Sequence, residues 1–315
     1  MNEQLKRRFS LAVSFGDITP EDYISILEKY KYYIHDIYFS PTENQRFQTR
    51  RNVYDFKNTS NKERRGMLCE VLRYAQNSNI ECCMTLNASM ASPSEQADLF
   101  ELYQSFIQID RLTTTLSVAQ TIKQRGVTVP LTCSYNEAIT NREHLMRVLN
   151  EELFDAIVLG GRFLRDLNTF GFIRQKGIKT ILMLNTGCCI NCASYCKILN
   201  QNYCSDLFRK NKEKYGPEYM YALQSIFPEE LLKYYLPADC IDVFKLASRP
   251  IKLQELDSLL SSYSSFNSKT FIKKSKNNYH LYARLAHFSQ FYNQFDYSSI
   301  DNRKQEIWKM NQTEM

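Results

Sequence analysis

Five of the ten cysteines fall within seventeen residues: Cys188, Cys189, Cys192, Cys196 and Cys204. Thiolates are soft ligands that suit zinc and iron-sulfur clusters, and tight clustering lets one loop wrap a single site. Cys189 and Cys192 form a C-x2-C turn, and Cys196 lies four residues further on, on the same face if a helix begins near Asn191. Structural zinc normally uses two paired knuckles, whereas one C-x2-C here is followed by uneven spacings. The expected ligands are therefore Cys189, Cys192, Cys196 and Cys204, with Cys188 and Cys240 as alternates. An iron-sulfur cluster is the expected group, and zinc the alternative. Cys69, Cys82, Cys83 and Cys133 sit in or beside apolar runs, where a thiol behaves as a small hydrophobe.

The elements that must position this cluster follow from hydrophobic patterning. Eight apolar, β-branched runs alternate with helical patterns, the mark of a parallel sheet with crossover helices. The runs are Phe9 to Phe15, Ile34 to Phe39, Ile80 to Leu86, Ile109 to Thr113, Val127 to Cys133, Phe154 to Leu159, Ile178 to Leu184 and Ile241 to Leu246. Helices are expected over Pro20 to Tyr33, Asn61 to Ala75, Pro93 to Phe106, Leu116 to Arg125, Asn136 to Glu151, Arg162 to Gln175 and Leu253 to Tyr263. Eight strands predict an α/β fold, a (β/α)8 TIM-type barrel, over residues 1–264. The cysteines then lie in an insertion over 187–239, after the seventh strand, and residues 265–315 form a C-terminal extension packed on the barrel.

Such barrels place their chemistry at the C-terminal ends of the strands. The residues just past each run are small and polar: Ser14, Asp17, Ser40, Asn87, Ser89, Ser134, Asn136, Arg162, Asn185 and Gly187, then Lys245 and Arg249. Ser and Asn in these places also cap the following helices. Asn87, Ser134, Asn136 and Asn185 are the candidates for neutral hydrogen bonds to a substrate. Lys245 and Arg249, two cations near one strand end, suit a carboxylate or phosphate.

Other classes of function find little support. No Ser-His-Asp pattern, phosphate-binding glycine loop or dinucleotide fingerprint occurs, and the four histidines form no H-E-x-x-H. No run approaches the roughly 18 apolar residues of a membrane span, and the N-terminus does not read as a signal peptide, so a cytoplasmic location is expected. The net charge of +6 is dispersed except at Lys6-Arg7-Arg8 and Lys269 to Lys276. RNA contact would need a folded face that gathers such runs.

The segment CIDVFKLASRPIKLQELDSLLSSY, from Cys240, resembles the I-D-x-x-K-I-E-G-R signature and following helix of the collagenase-like U-32 peptidase family. Lys245 and Arg249 match its Lys and Arg, while Ala247-Ser248 stand in place of Glu-Gly. A family cysteine expected near Ala222 is absent, so that Cys204 or Cys240 would substitute. The resemblance implies a barrel with a 4Fe-4S cluster and oxygen-independent hydroxylation, or a related modification, of a small molecule, peptide or RNA. It also implies a heterodimer with a related barrel protein. The alternative is a non-catalytic partner or RNA-binding subunit whose cysteines hold a structural zinc or iron-sulfur site.

Overall fold

The computed structural model describes residues 3–13, 15, 18–43, 47, 59–88, 90–139, 141–160, 163–164, 166–184, 226, 228–246 and 253–266. Eight parallel strands close a barrel in sequence order, with β1 completing the ring against β8. They are β1 (Phe9–Ala12), β2 (Ile34–Phe39), β3 (Glu81–Leu86), β4 (Arg111–Thr114), β5 (Leu131–Cys133), β6 (Ala156–Leu159), β7 (Lys179–Met183) and β8 (Val243–Leu246). The expected (β/α)8 fold is thus present. Every expected run contains or overlaps its strand. Apart from β2, the strands are shorter than the runs because closure of the ring limits how many residues of each find partners on both sides.

Six helices lie between these strands: α1 (Pro20–Tyr30), α2 (Asn61–Asn77), α3 (Pro93–Gln104), α4 (Leu116–Gln124), α5 (Arg142–Asn150) and α6 (Leu167–Gln175). Three open with reciprocal caps, in which a Thr or Ser side chain accepts from the third backbone N–H and an acidic side chain accepts from the cap backbone N–H. These pair Thr19 with Asp22, Ser60 with Glu63 and Ser92 with Glu95. Before β8 comes a composite segment, α7, made of Pro228–Glu230, a π-helical turn Leu231–Tyr235 and a last turn Leu236–Ala238. After β8 comes α8 (Leu253–Ser264).

The one helix expected over Asn136 to Glu151 is divided in two. Ser134 caps a 3-10 turn over Tyr135–Glu137, and Ala138 follows in the left-handed region at φ 55°. Asn141 then caps α5 by accepting from His144 N. Two competing cap residues start helical turns seven residues apart, and the left-handed residue between them breaks the spiral. Asn136 therefore sits in the turn that follows β5, held near the strand end. Similarly, α6 starts at Leu167 rather than Arg162, because Asp166 caps it through Thr169 N.

Alternation along the strands sorts side chains into two sets. Phe9, Leu11, Ile37, Phe39, Cys82, Met84, Leu112, Leu131, Ile157, Leu182 and Phe244 face the helices in one continuous core. A second, smaller apolar cluster, Ala156, Val158, Ile181, Met183 and Val243, occupies the inner wall along β6, β7 and β8. No helix among the described residues is long and apolar enough to cross a membrane. The basic run at the N-terminus is structural where it is described: Arg7 donates to Asn79 O at 2.7 Å, and the Arg8 guanidinium donates to Ile241 O and lies over the Phe244 ring.

Candidate functional site

The inner wall along β1 to β5 has a different chemistry from the wall along β6 to β8. Cross-strand register aligns Ser10 with Asp36 and Lys245, Cys83 with Arg111, and Thr113 with Thr132. These side chains stand at alternate positions, so the polar residues within apolar strands gather on one surface. Ser10, Asp36, Arg111, Thr113, Thr132, Ser134 and Lys245 are all buried. Buried polar groups need partners, and most of these have them.

Three groups of hydrogen bonds run up this wall. Low in the barrel, the Ser10 hydroxyl donates to Asp36 Oδ1 at 2.5 Å, and His35 Nδ1 lies 2.9 Å from Asp36 Oδ2. Beside them Arg111 Nη2 is 3.5 Å from Glu81 Oε2. Midway, Cys83 Sγ and Thr113 Oγ1 are 3.1 Å apart, and Ser40 Oγ and Thr85 Oγ1 are 2.8 Å apart. At the C-terminal rim, Asn87 Nδ2 donates to Ser134 Oγ at 2.6 Å. There Asn136 N donates to the same Oγ at 3.0 Å, and Asn136 Nδ2 donates to Asn87 O at 3.3 Å.

Two buried oxygens on this wall have no hydrogen-bond partner among the described residues: Asn87 Oδ1 at the rim and Thr132 Oγ1 below it. An unmade buried hydrogen bond costs about 1 to 3 kcal/mol. Both belong to β5 or to the turn after β3, so the same side of the barrel offers two unused acceptors. A ligand bearing N–H or O–H donors would satisfy them.

Lys245 stands across the barrel from that side. It is 6% exposed, and its Nζ lies 3.6 Å from the centroid of the Tyr38 ring. Among the described residues no carboxylate forms a salt bridge with it. Burial lowers its pKa below the usual lysine range, and the nearby Cys83 and Asp36 only partly offset this. The Asp36 carboxyl is itself subject to burial, which would raise its pKa. His35, Lys245 and the Ser10 hydroxyl outweigh that and hold it below the usual carboxylate range. Burial likewise works against a charged His35, but the hydrogen bond and charge of Asp36, with Glu81 behind, raise its pKa overall. Burial pushes the Cys83 thiol up to about 11, so it stays protonated near neutral pH.

Sequence reasoning located part of this arrangement. Asn87, Ser134 and Asn136 are brought together at the rim as expected. Lys245 is not on the rim: it is the third residue of β8 and points into the barrel, because alternation from Val243 sends it inward. Cys240 does not reach the rim either. It is buried at the opposite end, ahead of β8, where its carbonyl accepts from Thr180 Oγ1 at 2.6 Å near the start of β7. As a fourth ligand it would require the cysteine-bearing segment, which leaves β7 at the other end, to return there.

The remaining candidates, Asn185, Arg249 and Cys188, Cys189, Cys192, Cys196 and Cys204, lie outside the described residues, as do Ser14, Asp17, Ser89, Arg162 and Gly187. Among the described residues no group of three or more His, Cys, Asp or Glu side chains is arranged to hold a metal ion. A metal site in this chain therefore rests on the cysteine spacing. Sequence reasoning missed Ser10, Asp36, Tyr38, Arg111 and Thr132, and treated Cys83 only as core packing. Their signal was present as polar residues recurring at every second position inside apolar runs, as in Asp36 and Tyr38 or Thr132 and Ser134.

No family model matches the chain, and no curated protein matches it in sequence. Among solved structures, a U32 peptidase is similar over 80% of this chain and 97% of its own, at 12% identity and a TM-score of 0.49. A 4-hydroxy-2-oxoglutarate aldolase/2-deydro-3-deoxyphosphogluconate aldolase is similar over 84% and 98%, at 11% identity and a TM-score of 0.41. The likeness is one of barrel to barrel at a distance. Identities this low assign neither substrate nor residue roles, since one barrel fold hosts many chemistries.

Proposed function

We propose that the protein is an enzyme that takes an anionic small molecule into the mouth of its barrel and transforms it with the help of an iron-sulfur cluster. The observation that carries the reading is Lys245, a cation sealed inside the barrel with no salt-bridged carboxylate among the described residues and a polar wall opposite it. A buried charge that its neighbours only partly offset is costly, and proteins keep one where a ligand of opposite sign neutralises it. Arg249 would supply the second cation, and Asn87 and Thr132 would accept hydrogen bonds from the neutral part of the molecule. Asn185, Ser134 and Asn136 would shape the same mouth.

Cys189, Cys192, Cys196 and Cys204 would hold a 4Fe-4S cluster, and Cys188 is the alternate within the same stretch. Such a cluster supplies single-electron transfer. The chain's own side chains would bind and orient the substrate and, through the closed wall, exclude water. The reaction class implied by the U-32 resemblance is oxygen-independent hydroxylation or a related modification. A peptide or an RNA base carrying the anion is the larger form of the same substrate, and a related barrel protein is the partner that the resemblance implies.

The test is purification under oxygen-free conditions with iron, sulfide and zinc analysis. Iron with matching sulfide is expected, with Cys192→Ala losing the iron and Cys82→Ala keeping it, since Cys82 is buried in the core between strands and helices. Stoichiometric zinc without iron would establish the structural-metal alternative instead. Binding of phosphate or malonate, followed by calorimetry, should weaken in Lys245→Met with iron content unchanged.

A further inference from the structure

Lys245 has surroundings that do more than attract an anion. Its amine is in the interior of a closed barrel, against an aromatic face and opposite a wall of hydroxyls and amides. No hydrogen bond from another described residue fixes its Nζ. The Cys83 thiol on the same wall is occupied with Thr113 at 3.1 Å. We propose that Lys245 is an amine nucleophile that condenses with a small carbonyl compound, an aldehyde or a 2-oxo acid, to form an imine inside the barrel. The inference rests on the reading that the mouth admits a small molecule, and it names a covalent role for a residue otherwise assigned to binding.

The step balances without a co-reactant. The neutral amine's lone pair attacks the carbonyl carbon and forms the C–N bond. Both N–H protons pass to the carbonyl oxygen, the C–O bond breaks, and the oxygen leaves as water. Nothing is oxidised or reduced, and hydrolysis reverses the sequence. Desolvation favours the neutral amine, which is how a buried lysine becomes nucleophilic near neutral pH. When the imine nitrogen then takes up a proton from solvent, Asp36, held ionised by His35 and Ser10, keeps the iminium charge from being isolated. Cys83 does not compete, because burial keeps it a thiol.

Reductive trapping tests this on the full chain. The protein is incubated at neutral pH with glyoxylate, or separately with acetaldehyde, in the presence of cyanoborohydride, and the adducts are located by peptide mass mapping. Labelling at Lys245 should exceed that at exposed lysines such as Lys29. Lys245→Arg should abolish the fast labelling. If that variant does not fold, mapping of the wild-type chain alone decides the matter. Adducts confined to surface lysines with both reagents overturn the proposal. Labelling of Lys245 by acetaldehyde but not by glyoxylate supports the nucleophile and refutes the anionic substrate, so the two readings fail separately.

Discussion

The two sides of the barrel's inner wall are built from parallel strands of one closed ring, yet they are filled in opposite ways. Along β6, β7 and β8 the inward positions are Ala156, Val158, Ile181, Met183 and Val243, packed together as an apolar cluster. Along β1 to β5 they are Ser10, Asp36, Cys83, Arg111, Thr113, Thr132 and Ser134, tied by hydrogen bonds. Lys245 stands at the seam. The apolar side stabilises the ring in the ordinary way, by removing hydrocarbon from water and filling space. The polar side forgoes that gain and, among the described residues, leaves two oxygens without partners. A barrel stabilised only by its interior would have no reason to be so divided, and stability withheld on one side is the usual accompaniment of a binding surface.

Substitutions on each side should separate these roles. The largest loss is expected from Asp36→Ala, which strips Ser10 and His35 of their shared acceptor and removes the anion nearest Lys245. Removing one member of a buried charged network costs about 3 to 5 kcal/mol, to be read from urea denaturation. A loss below about 1 kcal/mol would show that the polar side is solvated rather than sealed. On the apolar side Ile181→Ala should cost about 3 kcal/mol through lost burial and the cavity left behind, without changing anion affinity. An effect on affinity equal to that of Lys245→Met would erase the division of labour.

Thr132→Val should have the opposite sign. It replaces an unpartnered buried hydroxyl by a methyl group of the same shape, and a gain of about 1 kcal/mol in stability is expected, with weaker ligand binding. Destabilisation by this change would mean that the hydroxyl has a partner when the protein is in solution.

The smallest effect concerns pH. His35 has its pKa raised in the folded chain, so its contribution to stability is complete below the unfolded value of about 6.5 and is lost as pH rises through the folded value. Asp36 runs the other way. With its pKa lowered, its contribution is present above about 3.9 and lost as pH falls through the folded value. The pair should thus be most stabilising in the mildly acidic range between these limits. His35→Gln should flatten the alkaline limb of a plot of melting temperature against pH, and an unchanged limb would assign it to other groups.

The rim and the interior differ in how far they were legible in advance. Asn87, Ser134 and Asn136 follow strand runs directly, and turns after strands are where a barrel concentrates its chemistry, so their gathering could be read from order alone. Asp36 and Thr132 lie inside the runs, where an apolar average hides them. The contact between Asn87 and Ser134 joins residues 47 positions apart, which no local spacing encodes. Cys240 shows the converse: its place next to a strand was legible, but which end of the barrel it occupies depended on where β8 begins.

What the sequence determined by itself was the number and order of the strands, the alternation of helices with them, and hence a closed parallel barrel. Those depend on local periodicity and on cap residues that act within a few positions. It also determined the crowding of thiols between Cys188 and Cys204, which is a property of spacing alone. Only the tertiary structure decided which face of each strand looks inward. Ring closure and register settle that together, and they turned scattered residues, Ser10, Asp36 and Thr132, into one wall with the buried amine of Lys245 beside it.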